Sequence, residues 1–146
     1  MSGLARRLVA EALGTGFLVC AVVGSGIMAE RLTDDVALAL LANTAATAAV
    51  LYVLITILGP VSAQFNPVVT LVLRLRGEMP TGEAVGLMLM QCAGGLAGML
   101  LAHAMFGLPL IQVSTTLRSG WAQGLAEAVA TFGLIVAIFG CLLYTS

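Results

Sequence analysis

Ser62-Ala63-Gln64-Phe65-Asn66-Pro67-Val68-Val69-Thr70 lies between two long apolar runs, and its reading decides the fold. Asn-Pro starts helices: Asn caps the first turn, and Pro takes the first helical position, where its missing N–H costs nothing. The helix that opens here, about Pro67 to Leu75, is apolar but very short. At ~1.5 Å per residue it reaches roughly 14 Å, near half a hydrocarbon core. A short apolar helix flanked by full spans predicts a re-entrant element dipping to the membrane middle. Its free N–H groups carry partial positive charge. Non-helical backbone at that depth is tolerated only against protein or a watery cavity. Asn66 adds a side-chain amide there; the alternative is a cap on a surface helix in an aqueous loop.

The rest of the composition agrees with a membrane setting. Hydrophobic residues make up 60% of the 146, and charged residues 9%, against roughly 25% charged in soluble domains. Mean hydropathy is +1.10. Several runs exceed the ~18 apolar residues that argue a span. Net charge is −1 and no lysine occurs, so nucleic-acid binding has no electrostatic support. Arg6 and Arg7 precede an apolar stretch, Leu8 to Ala29, that is longer than the ~7–15 residues of a signal peptide and lacks a clear cleavage site. It reads as a retained first span. Cys20, Cys92 and Cys141 all fall inside apolar runs without metal-ligand or CxxC spacing, which predicts buried free thiols and no metal or cofactor site. Without a base, nucleophile or ligand cluster, no enzyme is expected.

Four full spans are readable, at about 8–29, 36–58, 84–106 and 122–143, giving an all-α polytopic membrane protein in one domain, 1–146. Arg6 and Arg7 at the N-terminus, and Arg74 and Arg76 in the second connection, are separated by two crossings and share one side, which the positive-inside rule makes cytoplasmic. The N-terminus is therefore expected inside, in the cell's inner (plasma) membrane. Ala10-Glu11-Ala12-Leu13-Gly14-Thr15 aligns with Ala126-Glu127-Ala128-Val129-Ala130-Thr131. Three crossings separate the copies, so they enter from opposite faces. That is the trace of an inverted repeat, the first unit covering about 8–106 and the second opening at about 122–143.

Glu11 and Glu127 are ionisable groups within spans, a placement that usually faces the bundle interior with a partner; snorkelling to the interface is the alternative. Gly94-x-x-x-Gly98 permits close helix approach in lipid, and Gln91 just before it is assigned to helix packing. His103 is read as an interfacial residue, and the methionines of the third span as packing or lipid-facing.

The nine-residue stretch, in register between two spans and before a third, resembles the signature of the major intrinsic protein family, the aquaporins and glycerol facilitators. Ala63, Phe65, Asn66, Pro67, Val69 and Thr70 match; Gln64 departs where His is usual, and Val68 where Ala is usual. The resemblance implies an aquaporin-like inverted-repeat bundle passing water and small neutral solutes, with Asn66, Pro67 and Val68 at the pore. It implies that Glu11 accepts hydrogen bonds from the re-entrant loop, and that Glu127 would brace a second loop. Counting back about twenty positions from Asn66 to the family's constriction residue lands on Ala46, whose small side chain implies a wide neck. This chain is most similar to bacterial members proposed to carry glycerol and metalloid hydroxides such as arsenous acid. A homotetramer with a pore in each subunit follows from the resemblance alone. The family has six spans and two half-helices, so the expectation is a fragment that does not conduct by itself. Two other readings are kept: a four-span proton-coupled multidrug exporter using Glu11, and a non-transporting assembly subunit.

Overall fold

The structure, a computed structural model, describes residues 3–112 and 119–145, the side chains only as far as 140. The described residues form five helices: α1 (Gly3–Leu32), α2 (Val36–Leu58), α3 (Pro67–Leu75), α4 (Thr81–Met105) and α5 (Trp121–Thr145). By length and composition, α1, α2, α4 and α5 can each cross a membrane. α1 overruns its expected span at both ends and α4 begins three residues early, because helical hydrogen bonding continues past the apolar windows, whereas α2 and α3 begin and end where the sequence places them.

Local chemistry sets the boundaries. Asp35 caps α2, its Oδ1 accepting from the N–H groups of Ala37 (2.9 Å) and Leu38 (3.1 Å). Asn66 caps α3 in extended conformation, with Pro67 at the first helical position. Two glycines stop helices. Gly77 (φ +80°) follows α3, and the N–H groups of Gly77 and Glu78 reach back to the carbonyls of Arg74 and Leu73, each at 3.0 Å. Gly107 (φ +65°) follows α4, and Leu108 N–H reaches His103 O at 2.9 Å. Both closures need a left-handed residue, which glycine adopts without a Cβ penalty. Gly77 thus ends the short helix and prevents α3 and α4 from forming one rod.

The chain divides into two compact units, Met1–Ile111 and Gln112–Ser146. In the first, α1 packs against α4 and α2, and α3 packs against α4. A Cβ at Gly94 would run into the Ala12 carbonyl, and one at Gly98 into the Gly16 carbonyl. The two backbones therefore touch, the kind of small-residue crossing by which helices associate in lipid. At one end Arg7 pairs with Glu83. At the other, the Arg31 guanidinium lies 5.2 Å from the Phe106 ring centroid and donates to the Phe106 carbonyl (2.9 Å). Asn43 ties α2 to α1, its Nδ2 donating to Val22 O at 2.9 Å. Large apolar side chains face outward along every span, and α2 buries none of its residues. A water-soluble monomer rarely exposes such continuous apolar surface; hydrocarbon is its natural solvent. The second unit consists of α5, whose described side chains are exposed or half-buried.

Candidate functional site

Glu11 lies fully buried on α1, and its carboxylate collects four donors. One oxygen, Oε1, accepts from Ser62 Oγ (2.5 Å) and the Gln64 N–H (2.8 Å). The other, Oε2, accepts from the Phe65 N–H (2.7 Å) and Gln91 Nε2 (2.8 Å). Hydrogen bonds to a charged group are the strong ones, worth about 1.5–3 kcal/mol each. Glu11 thereby pins the α2–α3 loop at Ser62, Gln64 and Phe65, and Gln91 brings α4 to the same point.

The loop needs that support. Phe65 has φ +51°, a left-handed conformation that a residue with a Cβ rarely adopts. Its ring is buried against α1 at Gly14, where any Cβ would overlap it. Gln91 donates its second N–H to Thr70 Oγ1 (2.9 Å), and Thr70 in turn bonds Gln64 Oε1 (2.6 Å). Asn66 Oδ1 accepts from the Val68 N–H (2.8 Å). The start of α3 is thus held from both sides, with its N–H groups and the Asn66 amide at the head of the half-helix.

The structure brings Glu11, Gln91, Asn66 and Pro67 together around this loop, with Val68 half-exposed beside them. Ala46 is half-buried on α2 and stands outside the hydrogen-bonded ring; Glu127 is exposed on α5 and has no hydrogen-bond partner among the described residues. Gly94 and Gly98 lie at the α1–α4 crossing. His103 bonds the Leu110 carbonyl through Nδ1 (2.9 Å). Cys20 and Cys92 are free but not buried as expected, Cys20 being half-buried and Cys92 exposed on the outward side of α4, and the Cys141 side chain lies outside the described residues. Among the described residues no group of three His, Cys, Asp or Glu could hold a metal. Sequence reasoning missed the parts of Ser62, Gln64 and Thr70 in the network, and the dependence of Phe65 on Gly14. A signal was present: three polar side chains in an apolar segment must find partners.

The Major intrinsic protein family model matches residues 1–145. The chain belongs to this family. Within it, aquaglyceroporin AqpS of Rhizobium meliloti (strain 1021) is 57% identical over 136 residues, 92% of this chain and 58% of that relative. The chain therefore spans less than two thirds of the length of the curated relative it matches. No solved structure matches. Family membership, with four apolar helices long enough to cross a membrane among the described residues, makes this a multi-pass membrane protein. The Glu11 carboxylate is engaged by three groups of the α2–α3 loop and by Gln91 of α4.

Proposed function

We propose that the whole protein is a channel for passive passage of water and small neutral solutes such as glycerol, with Asn66, Pro67 and Val68 on the solute path. The observation that carries this reading is the braced half-helix. A nine-residue apolar helix starts at Asn66, and its loop is clamped by a buried carboxylate. Its positive end and amide donors favour oxygen acceptors and disfavour cations, protons included. The relative bearing the name aquaglyceroporin supports the same solute class.

Several finer assignments go with it. Ala46 sets a wide neck, which extends the solute range toward undissociated hydroxides such as arsenous acid. Glu127 braces a second loop as Glu11 braces the first, in the second unit of an inverted repeat opening at about 122. Gln91, Gly94 and Gly98 hold α1 against α4. The whole protein works as a homotetramer in the plasma membrane with its N-terminus inside.

The test is solute flux in proteoliposomes containing the whole protein. Glycerol should enter down its own gradient at equal rates with and without a pH gradient. Flux that requires a pH gradient would favour the exporter reading; no flux of any neutral solute would refute the channel.

A further inference from the structure

We propose that Gln64 is a second donor station for the solute, oriented by a relay of hydrogen bonds that starts at Glu11. The proposal rests on the channel reading and deepens it at the same site.

The direction of the relay follows from what each group can do. A carboxylate only accepts, so Gln91 must turn its NH2 toward Glu11. Its two N–H bonds go to Glu11 Oε2 (2.8 Å) and Thr70 Oγ1 (2.9 Å). The cost is visible: Gln91 Oε1 is buried without a hydrogen-bond partner. Thr70 Oγ1, already accepting, has one hydrogen to give. Gln64 Oε1 at 2.6 Å is a far better acceptor than the Asn66 carbonyl at 3.3 Å. Gln64 therefore shows its oxygen to Thr70 and directs its NH2 elsewhere.

Among the described residues that NH2 has no protein partner, and Gln64 is half-buried. The arrangement repeats at Asn66, whose oxygen is held by the Val68 N–H while its NH2 is also without a protein partner. Two amides two residues apart are thus tied by their oxygens to the first turn of α3, and both offer donors. Both amides are partly accessible, so their donors are open to an occupant with oxygen acceptors. A polyol, with several hydroxyls, can engage both stations at once, whereas water engages them singly. Gln64 then raises preference for polyols over water.

The experiment compares glycerol and water permeability by stopped-flow light scattering, using the whole protein in proteoliposomes. Gln64→Leu is expected to lower the glycerol-to-water ratio by about threefold to tenfold, the range one neutral hydrogen bond covers. Thr70→Val, which keeps Gln64 but cuts its tether, should lower the ratio by a smaller factor, and Thr70→Ser should restore it. An unchanged ratio in Gln64→Leu with normal water flux overturns this proposal and leaves the channel standing. Absence of neutral-solute flux through the unsubstituted protein overturns both. Should Gln64→Leu not fold, side-chain 15N NMR of the whole protein in nanodiscs decides. A glycerol-induced shift of the Gln64 NH2 well above that of Gln91 supports the role, and equal or absent shifts overturn it.

Discussion

Replacing Glu11 by glutamine keeps the shape of the side chain and inverts one of its two hydrogen-bonding ends. If the new NH2 takes the Oε1 position, it faces Ser62 Oγ and the Gln64 N–H. Ser62 can rotate its hydroxyl to accept, but the Gln64 N–H cannot turn round. If the NH2 takes the Oε2 position, it faces Gln91 and the Phe65 N–H. Gln91 can flip and offer its unpartnered oxygen, yet the Phe65 N–H stays opposed to a donor. Either way one buried backbone N–H loses its acceptor, at about 1–3 kcal/mol. The surviving bonds also weaken from charged to neutral. The readout is hydrogen exchange at the amides of residues 64 and 65, compared with amides in the middle of α1. A local opening easier by about 1–3 kcal/mol raises exchange by about 5–150-fold at the loop, with thermal stability in detergent lowered as well. If both stay at their unsubstituted values, the carboxylate is not what holds the loop.

Other changes probe neighbouring parts of the argument. Asn66→Asp places a carboxylate at the positive end of α3, which is expected to admit cations; measurable cation leak with reduced neutral-solute flux is the expected outcome, and unchanged solute flux without leak contradicts the placement of Asn66 on the path. Ala46→Trp should slow glycerol and arsenous acid more than water, whereas equal slowing of all three argues against a constriction at 46. Gly94→Ala drives a methyl group into the Ala12 carbonyl, and overpacking of this kind costs about 1–3 kcal/mol. Lower thermal stability in detergent checks it, and a neutral result would mean the two helices part without penalty.

Much of the architecture was legible because membrane sequences obey few rules, and those strictly. The spans announce themselves by hydropathy, and Asn66-Pro67 fixes the start of α3 through capping chemistry alone. The half-helix stops at Gly77, a residue whose letter shows that a left-handed position is available but not that the chain uses it. Glu11 could be singled out because a carboxylate in an apolar run demands partners. Its partners lie 51 to 80 residues away, and spacing alone cannot choose among the polar groups of the chain. Gln91 shows the limit plainly. In sequence it comes three residues before Gly94 and reads as part of a helix crossing, whereas in space its amide links Glu11 to Thr70. The strained backbone at Phe65 left no trace in composition, since any residue can occupy a position that its surroundings enforce.

The span of sequence between Glu11 and the loop it holds has a consequence for biogenesis. Ser62 follows Glu11 by 51 residues, so at roughly 5–20 residues per second the ribosome needs about 3–10 s to deliver it. During that interval the acidic group of the first helix exists without the loop that later ligates it. Gln91 emerges later still, 80 residues behind Glu11. The bracing of Glu11 is therefore completed only after both later segments have been made.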